Sequence, residues 1–466
     1  MMIRKRKPII GLLGIMHGLY DVDQPELPRE QEAWISDVVN RLADVCEIDF
    51  PGAAKDRTAI ERIVGAFNEK KYDGIMVVNL LYSPGMRVVQ AFKDNRLPVL
   101  IANIQPLPTV TADWDWKRCT TNQGIHGIQD TANMILRLGV EPVIVTEDWE
   151  SARFHDFVSD WAAAAMTARE LKRRRACVMS KMQGMGDILG DEVAYFRMLG
   201  IEVYHEGMGG VVRCMDKVTE AEVGAYVALD RQNFEISPEL PEASHRYAAR
   251  LQLAFERFLD ENGYDAFSAN FNAYKDDGRI SQLPILGATN MLAKGYGYAA
   301  EGDVHIMAVT MMGHLIDENP HFTEMYSLDF KRDATFLSHM GEGNWRVARK
   351  DRPIRLIDRP LDIGGRDNPP TPIYSAEPGR GTIVSLVPVE GDYFRLVVSP
   401  GTVLDTEEMP NMRMNYTFFR PDTGVKSAMD NWLRYGGTHH QVLFLGDAAN
   451  KFKMLCHIMG IEYAEV

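Results

Sequence analysis

PIIGLLGIM, residues 8–16, decides the fold of the first third of this chain. A short, almost wholly apolar run of that length reads as a strand buried on both faces. CEIDF (46–50), YDGIMVVNL (72–80), PVLIANI (98–104) and EPVIVTED (141–148) repeat the pattern, with room for a helix in most of the gaps. In the first gap Trp34, Ile35, Val38, Val39, Leu42 and Val45 recur at three- and four-residue steps, the apolar face of an amphipathic helix. Strand, helix, strand in that order predicts a parallel sheet with helices on both sides. Ligands of such sheets lie beyond the carboxyl ends of the strands, which puts LYSPGM (81–86) and IQPLPTV (104–110) at the rim. GLLGIMHG lacks the glycine spacing of a dinucleotide fingerprint and no phosphate-loop motif occurs, so no NAD is expected.

A second αβ unit is predicted next. ACVMS and IEVYHEG read as strands around the helix DEVAYFRMLG, residues 241–263 as a long amphipathic helix ending at Gly263, and YDAFSANF as a strand leading into the loop NAYKDDGRIS. Past residue 320 the composition turns β-rich: GTIVSLVPV and YFRLVVSPGTVLD, joined by Glu390-Gly391-Asp392, predict a hairpin. DIGGRDNPPTP is a Pro/Gly-dense loop. The expected fold class is α/β: two Rossmann-like parallel-sheet αβ domains (1–168 and 169–318) followed by a C-terminal β-rich, barrel-like domain (319–466).

Composition narrows the function. Of the 466 residues, 45% are hydrophobic and 25% charged, as in a soluble globular protein. No apolar run reaches the roughly 20 residues of a membrane span, and the basic start MMIRKRKP leads into a strand rather than a cleavable leader. The five cysteines are scattered and never spaced CxxC, which points to reduced thiols and a cytoplasmic location. A net charge of −14 argues against nucleic acid as partner. The one basic cluster, Lys172-Arg173-Arg174-Arg175, reads as a solvated cap at a helix end.

Metal-capable side chains gather in the second half: Glu301 in AEGDVH, Glu324 in FTEMYSLDF, His339 in FLSHMGEG, and His439-His440 in GGTHHQ. Carboxylates with imidazoles suit a divalent ion such as Mn²⁺ and leave positions open for a substrate; hard and borderline ions share the set, so Co²⁺ and Mg²⁺ also fit it. Each residue has a blander reading. Glu301 could simply complement a helix dipole, Glu324 lie on the surface, and His339 be a satisfied core histidine. The paired histidines after Gly436-Gly437 are harder to explain as surface decoration. Spacing alone does not establish that these groups converge.

SPGM (83–86), CTTNQGIHG (119–127), GYGYAAEGD (295–303), FTEMYSLDF (322–330), LSHM (337–340), DIGGRDNP (362–369) and GGTHH (436–440), in this order, resemble the L-arabinose isomerase family of the arabinose/fucose isomerase superfamily over nearly the whole chain. The resemblance implies Mn²⁺ held by Glu301, Glu324, His339 and His440, and a sugar contacted by His126 from a neighbouring subunit, with Phe271 lining the pocket. It implies a homo-oligomer, trimer or hexamer, with active sites between subunits. It also implies aldose–ketose isomerisation, in which a chelated ion stabilises an enediolate while Glu301 and Glu324 carry the proton and His439 bonds a sugar hydroxyl.

The chain departs from the family where Met16 and His17 replace a polar glutamine near the sugar, which leaves His17 to recognise a hydroxyl there. The loop after Phe271 is longer, the Glu324–His339 segment shorter, and the tail after GGTHHQ truncated. Two readings compete with an isomerase. One is an epimerase or lyase on a related sugar or sugar acid. The other is a sugar-binding protein without catalysis, which would have no reason to keep the full ligand set.

Overall fold

The structure, a computed structural model, describes residues 2–316, 319–361 and 365–466. Residues 362–364 of the DIGGRDNP motif lie outside the described residues. The chain forms two compact units, Arg6–Arg169 and a larger one of Glu170–Val466 with Met1–Lys5.

The first unit is the parallel sheet expected from its apolar runs. Strands β1 (Ile9–Ile15), β2 (Glu47–Asp49), β3 (Gly74–Asn79), β4 (Val99–Asn103) and β5 (Val143–Thr146) pair in the order β2-β1-β3-β4-β5, every pairing parallel. On the helix Leu27–Arg41, Trp34, Ile35 and Val38 are buried. The helix Gly124–Arg137 starts hard against the end of β3: a Cβ at Gly124 would fall 2.1 Å from the Asn79 carbonyl oxygen, and one at Gly127 2.3 Å from the Asn79 amide nitrogen. Those glycines seat the helix and leave the His126 side of its first turn exposed.

The second unit opens with another parallel sheet. β6 (Arg175–Met179), β7 (Glu202–His205), β9 (Ala266–Ala269) and β10 (Gly297–Ala300) run in the order β10-β9-β6-β7, while β8 (Glu235–Ile236) leaves it for a small separate sheet. The basic cluster is a solvated cap only in its first half, where Lys172 and Arg173 are exposed just past the helix Ala152–Leu171. Arg174 pairs with Glu170 at 2.9 Å and Asp265 at 3.3 Å, and Arg175 already belongs to β6. The expected loop after Phe271 is instead the helix Phe271–Asp277. Asn270 caps it by accepting from the Asn272 N–H, and Gly278 in the left-handed region ends it.

From β10 the chain turns into the helix Val304–Ile316, every residue of which is buried. A helix apolar all round belongs in a core, and this one packs on β10 and on the strands that follow. Those strands are β11 (His321–Asp329), β12 (Ala334–Ser338), β13 (Arg355–Asp358), β14 (Pro370–Ile373), β15 (Gly379–Pro388), β16 (Phe394–Val403), β17 (Tyr416–Pro421), β18 (His440–Leu445) and β19 (Glu462–Glu465). The large sheet runs β15-β18-β11-β12-β17-β16-β19, and β15 also pairs with β16 as the predicted hairpin. That last pairing closes six strands into a barrel, with β19 parallel to β16 on the outside of the ring. β13, β14 and β8 form the small sheet.

Candidate active site

Glu301 stands in a strained turn. Its φ is +64° and that of Gly302 is +86°. The Glu301 N–H donates to the Ala269 carbonyl at 3.0 Å, and its own carbonyl accepts from the Met182 N–H at 2.8 Å, so the turn is pinned on both sides. A Cβ at Gly302 would lie 2.5 Å from Lys181 Cα and 2.6 Å from the Ser180 carbonyl oxygen. Gly302→Ala is therefore expected to cost more than the roughly 1–2 kcal/mol of a left-handed non-glycine residue, lowering the thermal midpoint by several degrees; an unchanged melting curve would refute the steric argument.

The helix-dipole reading of Glu301 does not hold, because Asp303 fills that place. One Asp303 oxygen caps the helix by accepting the His305 and Ile306 N–H groups at 2.9 and 3.0 Å. The other accepts from His440 Nδ1–H at 3.0 Å. Asp303 is fully buried and His440 nearly so. With Nδ1 held, His440 turns Nε2 toward the Glu301 carboxylate, 3.7 Å away, and that nitrogen is buried with no hydrogen-bond partner.

The neighbouring imidazoles follow the same plan. His439 donates from Nδ1 to Asp187 at 2.6 Å and has Nε2 4.0 Å from Glu301. His339, buried at the end of β12, donates from Nδ1 to Glu342 at 2.8 Å, and Glu342 also accepts the Tyr298 hydroxyl at 3.1 Å. Phe322 underlies two of the rings, its centroid 4.8 Å from His339 and 5.1 Å from His440.

Glu324 sits mid-row in the barrel wall. It pairs with His440 on β18 and with Ser338 on β12, and side chains opposite each other in an antiparallel ladder share a face. The ligand atoms that lie within 4.8 Å of one another are those of Glu301, His439 and His440 among the described residues; Glu324 and His339 are not in that group. A cavity of about 210 Å³ opens beside them, lined by Met182, Phe271, Tyr298, Glu301, His339 and Glu342 among others.

Burial pushes against charge throughout, and the partners win. Burial would lower His439, but Asp187 and Glu301 beside it hold it up at about 10. Burial would raise Asp187, yet His439 keeps it down at about 2. Glu301 is likewise held below the usual carboxylate range against its burial, by His439, His440 and His339.

Metal–ligand bonds to nitrogen and carboxylate oxygen are about 2.0–2.2 Å, so two ligand atoms of one ion are at most roughly 4.2 Å apart. Separations of 3.7 and 4.0 Å are too long for hydrogen bonds and within that limit. Together with the orphaned His440 Nε2, they fit a divalent cation.

The remaining expected residues lie in the first unit. His17, half-buried beyond β1, accepts the Leu19 N–H at Nδ1 (2.9 Å), and its Nε2 lies 2.8 Å from Arg87 Nη2. Met16 is wholly buried in that unit. His126 is exposed in the first helical turn.

Asp187, Asp303 and Glu342 escape the sequence reading as site residues. Glu342 was within reach through its three-residue offset from His339, and Asp303 through its position just before an apolar helical run. Asp187, 252 residues from His439, left no signal.

Carboxylates and imidazoles converging beside a cavity are what an enzyme's active site requires, and the site rather than the fold carries that reading. Family models described as the L-arabinose isomerase N-terminal, central and C-terminal domains match residues 17–173, 177–319 and 319–462. Curated relatives named L-arabinose isomerase include one from Leuconostoc mesenteroides, 27% identical over 95% of this chain and 96% of its own. Others come from Clostridium beijerinckii, 27% identical over 92% and 88%, and a Nocardioides species, 29% identical over 84% and 79%. A solved solute-binding protein from Agrobacterium vitis aligns with 67% of this chain and 90% of its own at 13% identity, but its TM-score of 0.17 gives that likeness no weight. The chain belongs to the L-arabinose isomerase family.

Proposed function

We propose that this protein is an aldose–ketose isomerase acting on L-arabinose or a related aldose through a cis-enediol(ate) of the sugar. The observation that carries the reading is the convergence of Glu301 with two imidazoles whose far nitrogens are tied to aspartates. Glu301, Glu324, His339 and His440 would hold a divalent cation, Mn²⁺ with Co²⁺ or Mg²⁺ as substitutes. Bound there, the ion would supply Lewis acidity to two neighbouring sugar oxygens.

The protein's own groups do the proton work. Isomerisation removes the hydrogen on C2 of the aldose and returns one to C1, while the hydroxyl proton leaves O2 and O1 gains one. Two carboxylates, Glu301 and Glu324, serve as the base on one side and the acid on the other. Glu301 is kept ionised by its imidazole neighbours, as a base must be. Phe271 and Met182 line the apolar side of the cavity and exclude water from the carbanionic stage.

We read the protein further as a cytoplasmic homo-oligomer, trimer or hexamer, in which His126 contacts sugar in a neighbouring subunit's site. Exposure of His126 at a helix start supports the second point. The five free cysteines, and the lack among the described residues of a helix long and apolar enough to cross a membrane, are compatible with the first.

The test is ketose formation from a panel of aldoses, followed by NMR, on chelator-stripped protein with and without added Mn²⁺. We expect a ketose of unchanged mass, formed only with the ion. No ketose from any aldose on the fully loaded protein would end the reading; a product of inverted configuration or broken carbon chain would replace it with an epimerase or lyase.

A further inference from the structure

We infer that the first unit carries a site for an oxyanion, the carboxylate or phosphate of an acidic sugar, built from Arg87 and His17. That the ligand is a sugar rests on the isomerase reading; the preference for an anion does not, and neither depends on a bound ion.

The two residues meet where sheets of this kind take ligands. In the order β2-β1-β3-β4-β5 the winding reverses between β1 and β3, and ligands of open parallel sheets sit beyond the carboxyl ends of the strands at that switch point. His17 follows β1, and Arg87 ends the short turn Gly85–Arg87 that follows β3. Both are half-buried, so a small ligand can reach them while part of the competing water is kept out.

The chemistry of the pair requires an acceptor. A backbone N–H only donates, and that of Leu19 donates to His17 Nδ1 at 2.9 Å. A neutral imidazole that accepts at Nδ1 carries its proton on Nε2. Burial first, and the Arg87 charge second, hold His17 below the usual imidazole range, which keeps the ring neutral. Its Nε2–H then lies 2.8 Å from Arg87 Nη2, and every guanidinium nitrogen is a donor too. Two N–H groups side by side satisfy neither, whereas one oxygen beside them accepts from both. The guanidinium is held in position for this, since its Nη1 donates to the Lys55 carbonyl at 3.0 Å. Arg87 has no carboxylate partner among the described residues, and the Lys55 ammonium beside it is already paired with Asp21 at 2.6 Å. A half-buried cation with no counter-charge, next to a second spare donor, matches an oxyanion better than a neutral hydroxyl.

The experiment titrates full-length protein by calorimetry with inorganic phosphate, L-arabinonate and L-arabinose, after treatment with a chelator so that no bound ion draws the anions elsewhere. We expect one or both anions to bind at least about tenfold more tightly than L-arabinose, as hydrogen bonds to a charged group do against neutral ones. Preference for phosphate marks a phosphate ester as the ligand, and preference for arabinonate a sugar acid. In Arg87→Met the favoured anion should bind about 10–100-fold more weakly, with L-arabinose held as before. Arg87→Lys keeps the charge without the planar fork and should fall between the two; it also serves if Arg87→Met fails to fold. The inference is overturned if neither anion outbinds L-arabinose in the parent, or if the folded variants keep the parent's preference. Equal loss of anion and neutral sugar in Arg87→Met overturns it as well, because that is the mark of a structural role. Ketose formation enters none of these outcomes, so the isomerase reading stands or falls by its own assay.

Discussion

Replacing Glu301 with glutamine is expected to abolish turnover, cutting kcat by about 10³-fold or more, on the scale of a lost general base, with the melting temperature little changed. Glutamine keeps the shape of the side chain and asks nothing new of the backbone, which is fixed by the Ala269 and Met182 hydrogen bonds rather than by the carboxylate. What disappears is the negative charge facing His439 and His440 across 4.0 and 3.7 Å. In the proposed reaction that charge would serve twice, as a proton acceptor and as an oxygen ligand, so metal content and turnover should fall together. Steady-state ketose formation and metal analysis on the same sample decide the matter. Turnover within tenfold of the parent would dismiss Glu301 as the base.

Phe322→Ala should be the most damaging change to stability near the site, with an expected loss of about 3–5 kcal/mol. The ring is wholly buried, touches the His339 and His440 imidazoles, and lies edge-on to Tyr298 at 5.7 Å. Deleting it opens a hole beneath two imidazoles and removes the wall that stops them tilting. Equilibrium denaturation measures the first effect and metal affinity the second. A loss below about 1 kcal/mol, well under that range, would show that the neighbours collapse into the space and that the rings are held from above by Asp303 and Glu342 alone.

Which parts of this molecule could be read in advance follows a physical pattern. Strands buried on both faces, such as Gly74–Asn79, leave continuous apolar runs, and a hairpin such as Gly379–Val403 leaves a turn signature; both were legible. The helix Phe271–Asp277 was not, because its interior is polar and short, and only Asn270 and Gly278 at its ends announce it. Among the site residues, Glu301, His439 and His440 were legible as chemistry and the structure gathers them. Their aspartate partners were not, because a buried Asp such as Asp303 or a loop Asp such as Asp187 has no residue-level mark of the histidine it meets. His17, expected at a sugar hydroxyl, lies at the rim of the first sheet beside Leu19 and Arg87.

β18, which begins at His440, lies between β15 and β11, two strands that both precede it in the chain. During synthesis those two emerge first and must wait with a gap between them. His440 pairs with Glu324 only when β18 drops into the gap, so the ring stays unsealed until that stave itself has been synthesised. Anything that delays that stave, a stalled codon or a chaperone gripping it, would leave two bare ladder edges exposed to other nascent chains.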